Sequence, residues 1–416
     1  MSGEAYKTIT ACRVCNSPDL TPLFSLGTQY VSDFVPADKV HGGVQCPIEL
    51  VLCRECTLVQ LKHTAPQDFL YTRHYWYRSG VTQTMREALA DVARAACERV
   101  KLEPGDVVLD IGANDGTLLR FFPDGCVRVG VEPADNLATP ESYRGLKLIH
   151  DFWSYEAWNN GWYSADPPGK AKIVTALGML YDLEDPNEFI RDVARVLHPE
   201  GVFIAQLMCL KQTLDRGDVG NFAHEHLEFY SYRSLRELFE RHGLTIFDIE
   251  ENNVNGGSYR VYAKHAKSWW SNSPNTVAVE KREADMRLHD PDAYVAFRSQ
   301  IESNRRRCHA FIADEVARGK RVYVLGASTK GNVILQHFGL DHTLIEGASD
   351  RSPEKNGLYT IGTGIKIVSE EEARAANPDY FLCLPYAFRN ELMQRESKWR
   401  EGGGKFIFPL PSFEVV

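Results

Sequence analysis

Apolar positions recur along this chain with two different periods. Short continuous apolar runs, "VVLDIG", "VRVGVEP", "KIVTALG", "GVFIAQLM" and "LTIFDIEEN", alternate with segments whose apolar residues return at helical spacing, "MREALADVARAACERV", "DPNEFIRDVARVL" and "SLRELFERHG". The runs suit strands covered on both faces, and the helical period suits amphipathic helices packed against them. Strands and helices in alternation predict a parallel, doubly wound sheet. A second strand–helix pattern opens with "KRVYVLGASTKGNVILQHFG" and continues through "LIEGASDRSPEKNG", "YFLCLPYAF" and "KFIFPLP". Between the two, the charged stretch from about Lys281 to Lys320 reads as a mostly helical, surface-facing connector.

The N-terminal part follows neither period and is marked instead by cysteine. Cys12 and Cys15 in "ACRVCNSPDL", and Cys53 and Cys56 in "VLCRECTLVQL", form two C-x-x-C pairs. Each such turn sets two thiolates on one side of a tight loop, and two turns complete a tetrahedron around Zn2+. Four protein ligands leave no open position, so the expected metal is structural. Cys46, Cys97, Cys126, Cys209, Cys308 and Cys383 are scattered and read as core residues.

Composition narrows the classes of function. A chain of 416 residues can hold two or three domains. The formal net charge of -9 argues against capture of nucleic acid, which needs clustered Lys and Arg. No apolar run reaches the roughly 20 residues of a membrane helix. The opening "MSGEAYKTIT" lacks the pattern of a signal or transit peptide, so the expected location is cytoplasmic. Oligomeric state is not specified by any feature of the sequence.

Two glycine-containing turns follow strands. In "LDIGANDG" Asp110 ends a strand, Gly112, Asn114, Asp115 and Gly116 make the turn, and Glu132 ends the next strand. That layout suits a nucleoside cofactor at the switch point of a Rossmann-like sheet, with the Glu132 carboxylate accepting from ribose hydroxyls. A dinucleotide calls for G-x-G-x-x-G, and Asp115 would oppose its pyrophosphate. S-Adenosylmethionine, whose sulfonium is cationic, fits better than NAD, with a ligand-free turn as the bland reading. Asp151 and Phe152 in "LIHDFWS" are then candidates for the adenine amino group and ring face. The second turn, "LGASTKGN", offers Ser328, Lys330 and Asn332 at a helix start, which suits either a nucleotide-sugar diphosphate or an unliganded turn.

Between strand and helix lies "NFAHEHLEFYSY", with His224, Glu225 and His226. Three readings are open: a metal site short of a third ligand, a histidine general base supported by a carboxylate, or a polar helix entry. Proton removal beside a ketone also needs a donor for the enolate oxygen, for which Tyr77, Tyr181 and Tyr230 are candidates.

Taken together, the four-cysteine ribbon, "IGANDGTLL", the "HEH" loop with "GGSYRVYA" after it, and "GASTKGN" resemble the sugar C-methyltransferase family, whose members act at C-3 of nucleotide-linked 4-keto-deoxysugars. The resemblance spans Cys12 to the C-terminus. It implies an α/β protein: a zinc-binding domain over 1–75, a Rossmann-like S-adenosylmethionine-dependent methyltransferase domain over 76–265, and a C-terminal Rossmann-like α/β domain over 266–416 for the nucleotide-sugar. It also implies His226 as the base, Glu225 and His224 as its neighbours, and Tyr75 and Tyr77 in "YWYRSG" as substrate contacts. Two positions depart from the family pattern: Ala223 stands where Tyr is usual, and Tyr181 and Asp182 where a His is typical. Those departures keep an O- or N-methyltransferase on a related sugar, or a non-catalytic S-adenosylmethionine-binding module, as alternatives.

Overall fold

The two cysteine knuckles bracket an antiparallel sheet of three strands, β1 (Leu20–Tyr30), β2 (Gln45–Cys53) and β3 (Val59–Leu61). The structure is a computed structural model that describes residues 6–66, 70, 76–161, 169–269 and 271–416. Helix α1 (Gln83–Arg99) starts where the Thr82 hydroxyl accepts from the Met85 N–H, a side-chain cap for an otherwise unpaired donor. Five parallel strands follow: β4 (Val107–Ile111), β5 (Val127–Val131), β6 (Lys147–Ile149), β7 (Ala171–Leu177) and β8 (Leu197–Met208), with helix α2 (Pro186–Val196) before the last. Next come the two-residue strand β9 (Glu228–Phe229), helix α3 (Tyr232–Glu240), and the antiparallel strands β10 (Leu244–Asn252) and β11 (Ser258–His265). The seven-stranded sheet has the order β10-β11-β8-β7-β4-β5-β6. Its order reverses beside β4, and the "GANDG" turn lies at that switch point.

Helices α4 (Pro274–Asp285) and α5 (Ala293–Ala317) lead to the C-terminal sheet. That sheet is built from β12 (Val322–Leu325), β13 (Gly347–Asp350), β14 (Ile367–Ser369), β15 (Tyr380–Cys383), β16 (Lys405–Phe408) and β17 (Glu414–Val415), in the order β14-β13-β12-β15-β16-β17. Helix α6 (Thr329–Phe338) follows β12 and is capped by Ser328, whose hydroxyl accepts from the Gly331 N–H. No helix among the described residues is long and apolar enough to cross a membrane.

Two local expectations change. After "GANDG", where "TLLRFF" reads as a helix start, the chain makes only a four-residue 3-10 turn, Leu118–Phe121, because Pro123 cannot continue a helix. Helix α5 is more than a surface connector: Tyr294, Phe297, Ile301, Cys308 and Ile312 repeat at helical spacing and are buried.

The cysteine module sits as a wedge between the two α/β units. Its knuckle residues Cys12, Val14, Cys53, Cys56 and Leu58 share a core with Leu109, Val174 and Phe203 of the seven-stranded sheet. Its strand residues Phe24, Leu26, Ile48 and Leu50 share another with Phe297, Val322 and Phe338. Strand β9 joins the module outright, pairing antiparallel with β3 through Glu228 opposite Gln60 and Phe229 opposite Val59. The sheet order is thus β9-β3-β2-β1, and its edge is supplied from a distant part of the chain.

This pairing ties the metal to that segment. Stripping zinc, or a Cys53→Ser substitution, is expected to unfold the module, since binding free energy of a structural zinc is folding free energy. Amide hydrogen exchange should then accelerate at Phe222–Phe229 as well as in β1–β3, and leave β12–β16 protected. Metal analysis should give about one zinc per chain before removal; unchanged exchange at Phe222–Phe229 after removal would contradict the coupling.

Candidate active site

The Sγ atoms of Cys12, Cys15, Cys53 and Cys56 all lie within 4.8 Å of one another. The Cys12–Cys56 and Cys15–Cys53 pairs are 3.5 and 3.4 Å apart. A tetrahedron with Zn–S bonds of about 2.3 Å has edges of roughly 3.8 Å, so the donor set fits the metal.

At the "GANDG" turn, Gly112 has φ +68°, a left-handed conformation, and a Cβ there would sit 3.1 Å from Met179 Cγ. Glu132 ends β5 with its carboxylate accepting from the Asn114 N–H (2.8 Å) and the Ala134 N–H (2.9 Å). Each carboxylate oxygen keeps a lone pair for a ribose hydroxyl. Asp110 lies deeper, taking a 2.6 Å hydrogen bond from the Thr175 hydroxyl, and burial beside Glu132 raises its carboxyl to about 7. Asn114 and Asp115 also hold the segment before α1. Asn114 Oδ1 accepts from the Ser79 N–H, its Nδ2 donates to the Tyr77 carbonyl, and Asp115 Oδ2 accepts from the Gly80 N–H. The "YRSG" stretch is thereby strapped across the turn, and Trp76 extends it to Asp33 of the cysteine module. Gly116 has φ +73°, and Asp151 and Phe152 are exposed beyond the end of β6. Tyr77 is 45% exposed at this rim. Tyr75 falls outside the described residues.

The HEH loop is held from two sides. On the module side, His224 is 1% exposed and its Nε2 donates to the Cys46 carbonyl at 2.8 Å. Burial lowers its imidazole to about 4. On the C-terminal side, Glu225 is hydrogen-bonded to the Thr329 side chain. Gly220 permits this approach, because a Cβ there would stand 3.1 Å from the Lys330 carbonyl oxygen.

His226 Nδ1 lies 2.7 Å from the carbonyl oxygen of Asn221. A carbonyl only accepts, so Nδ1 carries the proton and Nε2 carries the lone pair. The Tyr181 ring packs edge-on against this imidazole with centroids 4.7 Å apart. Burial, reinforced by the Lys330 cation, lowers His226 to about 3, so the ring is neutral near pH 7.

Buried acids surround it. Asp182 follows Tyr181, and its Oδ1 finds no hydrogen-bond partner among the described residues. Burial, then the carboxyls of Glu225 and Glu228, push Asp182 well above the ordinary carboxylate range, while Lys330 pulls the other way. Glu228 is likewise pushed up by burial, opposed by Arg13, whose Nε lies 3.7 Å from Glu228 Oε1.

Of the residues proposed from the second turn, Ser328 is occupied as the cap of α6 and Asn332 donates to the Ile361 carbonyl. Lys330 instead turns toward the HEH loop, donating to Asn221 Oδ1 at 2.6 Å and to Met208 Sδ at 2.9 Å. Sequence reasoning passed over Asn221 and Arg13. Asn221 opens the "NFAHEH" stretch, but nothing in one sequence marks it as the residue that holds both His226 and Lys330. Arg13, inside the first C-x-x-C pair, could have been noticed as a charge in an otherwise apolar knuckle.

Comparison with known proteins bears on the same three regions. A model described as "Putative zinc binding domain" matches residues 12–71, one described as "Methyltransferase domain" matches 77–249, and one described as "C-methyltransferase C-terminal domain" matches 253–411. The chain is 31% identical to C-methyltransferase NovU of Streptomyces niveus over 99% of its own length and 98% of that protein's. Among solved structures, magnesium protoporphyrin IX methyltransferase ChlM of Synechocystis PCC 6803 is 14% identical over 43% of this chain and 78% of that one, with a TM-score of 0.32. An S-adenosylmethionine-dependent methyltransferase of Clostridium acetobutylicum ATCC 824 is 14% identical over 43% and 91%, with a TM-score of 0.33. Both structural likenesses are weak, and the fold is read from the sheet order. The cofactors are S-adenosylmethionine and a structural Zn2+ on the four cysteines.

His224 makes stability depend on pH. Its folded-state pKa, about 4, lies below the ordinary 6.5 of the unfolded chain, so its contribution is present above pH 6.5 and is lost as pH falls toward 4. The urea midpoint is expected to drop across that window. His224→Gln, which keeps a donor for the Cys46 carbonyl and cannot titrate, should flatten the drop; an identical pH dependence would count against it.

Proposed function

Because the chain belongs to the family of S-adenosylmethionine-dependent C-methyltransferases, we propose that its acceptor is a nucleotide-linked keto-sugar and that His226 is the base. The observation that carries this reading is the orientation of His226: Nδ1 is committed to the Asn221 carbonyl, so Nε2 holds a lone pair. Imidazole in that tautomer takes a proton from the carbon alpha to a ketone, and the electron pair left on that carbon attacks a methyl group. S-Adenosylmethionine supplies that methyl group in activated form. Glu225 and His224 act as support, through the Thr329 hydrogen bond and the Cys46 carbonyl respectively. Asp110, Gly112, Asn114, Asp115, Gly116 and Glu132 form the cofactor turn in this reading, Asp151 and Phe152 its adenine end, and Tyr75 and Tyr77 contact the acceptor.

The chain then divides into residues 1–75 for zinc, 76–265 for the methyl donor and 266–416 for the nucleotide-sugar. Thiols kept as metal ligands rather than disulfides fit a reducing compartment, which is why we place the protein in the cytoplasm. A second reading, methylation of oxygen or nitrogen, draws on Asp182, a buried carboxyl at a position where the family usually has histidine.

A panel of dTDP- and GDP-linked 4-keto-sugars, deuterated alpha to the ketone, separates the two. Carbon methylation is expected to release deuterium with each methyl group transferred, whereas a methyl group on oxygen or nitrogen with deuterium retained would overturn it. His226→Gln is expected to bind S-adenosylmethionine as the parent does and to lose about 10²- to 10⁴-fold in turnover, the usual cost of removing a general base. Turnover within a few-fold of the parent would remove His226 from the role.

A further inference from the structure

Removing a proton beside a ketone puts negative charge on the carbonyl oxygen, and a site that performs this step needs a donor aimed at that oxygen. The tyrosines are poorly suited. Tyr230 is fully buried beside Glu228 on the module side, with its hydroxyl unpartnered among the described residues, and Tyr77 is at the outer rim. Tyr181 offers His226 the edge contact of its ring.

Lys330 belongs to the C-terminal unit by sequence and to the methyl-transfer site by position. Its Nζ rests on Met208, the last residue of β8, at the carboxyl end of that strand, the side of such a sheet on which ligands bind. It also rests on Asn221 Oδ1, while the carbonyl oxygen of that same Asn221 holds His226 Nδ1. One residue thus brings the ammonium and the imidazole side by side. An ammonium has three N–H donors, and Asn221 and Met208 take two. Lys330 also occupies the first turn of α6, where a cation works against the helix dipole and against a second positive pole. Burial opposes its charge, and the nearby carboxyls of Asp218, Glu225 and Asp182 support it, so the ammonium is set among acids at the HEH loop rather than at its own turn. The diphosphate expected from the "GASTKGN" pattern does not explain it, since Ser328 and Asn332 are engaged within the fold and Lys330 points away from them into the HEH loop.

We propose that the Lys330 ammonium holds the carbonyl oxygen of the keto-sugar as it becomes an enolate. This rests on the reading of the acceptor given above and adds the group that stabilises the charge. The balance is complete: the alpha C–H bond breaks, its proton goes to His226 Nε2, and its electron pair moves to the oxygen against Lys330. The pair then returns to form the new carbon–carbon bond, and the sulfur keeps the electrons of the bond it loses. Before the proton moves, His226 is neutral and Lys330 faces only the ketone dipole; once it has moved, the enolate charge lies beside the Lys330 ammonium and the His226 imidazolium. Stabilisation therefore arises only once the reaction is under way, which is the form of binding that accelerates a step.

The test is alpha-hydrogen exchange in D2O, followed by NMR with the full-length zinc-loaded protein and the same panel of dTDP- and GDP-linked 4-keto-sugars. Lys330→Met is expected to lose about 10²- to 10³-fold in both exchange and methyl transfer, with S-adenosylmethionine affinity within twofold of the parent. Added ethylammonium should restore at least about tenfold of the lost rate, which a purely structural lysine would not allow. If Lys330→Met does not fold, Lys330→Gln keeps a donor for Asn221 without the charge and should show the same loss. Exchange within fivefold of the parent, or a raised KM for the nucleotide-sugar with kcat intact, overturns the proposal, the latter in favour of a diphosphate contact. A parent enzyme that exchanges no alpha hydrogen in any member of the panel would instead refute the keto-sugar reading itself.

Discussion

The pairing of Glu228–Phe229 with Val59–Leu61 is the contact on which the arrangement of the site depends. A two-residue strand cannot stand alone, because its backbone donors and acceptors would be left for water in a region from which water is excluded. Here the strand borrows the edge of a sheet that is closed by four cysteines. The loop before it, with His224, Glu225 and His226, therefore takes part of its position from the zinc module, while the Tyr181 carbonyl, accepting from the Leu227 N–H, and the Thr329 contact of Glu225 hold it from the other sides. His224 repeats the connection through the Cys46 carbonyl. A metal with no open coordination position contributes nothing to bond-making directly, yet it helps to set where His226 stands.

Water is kept out by the same construction. The cysteine module fills the space between two α/β units, and Phe222, Ala223, Leu227 and Phe229 are packed into the core it shares with the C-terminal unit. Asp182 and Glu228 are buried there and Glu225 is half-buried, with Arg13 and Lys330 as the nearby cations. Placing so many ionisable groups in a buried region is costly, and burial raises the pKa of Asp182, Glu225 and Glu228. What the region gains is a low dielectric in which a single ammonium or imidazolium acts strongly on developing charge. Ala223 fits this picture as well: it is fully buried at the junction of module and C-terminal unit.

Much of the architecture was legible in one sequence because it is written in local patterns. Apolar runs bounded by turn residues located β4, β5, β7, β8 and β10, helical spacing located α1, α2 and α3, and the paired C-x-x-C turns identified the metal. The turn at "GANDG" was legible because the acidic and glycine positions around it have geometric requirements that few other residues meet. The α-helix expected after it was not formed, since Pro123 follows too soon. The face that α5 packs against neighbouring cores escaped notice because its abundant surface charges mask the buried stripe.

What the chain by itself determined, then, is the kind of protein and the identity of its reactive groups: four thiols for zinc, a nucleoside-type turn, and a histidine-carboxylate-histidine loop. Only the tertiary structure decided how those groups are used. It showed that β9 belongs to the zinc module, that Asn221 sets the tautomer of His226, that Asn114 and Asp115 strap down the segment after Trp76, and that Lys330 leaves its own turn for the HEH loop. The physical reason is separation along the chain. Periodicity and turn chemistry act over a few residues, whereas Lys330 meets Asn221 across 109 positions and His224 meets Cys46 across 178. They come into being only when three cores close on one another.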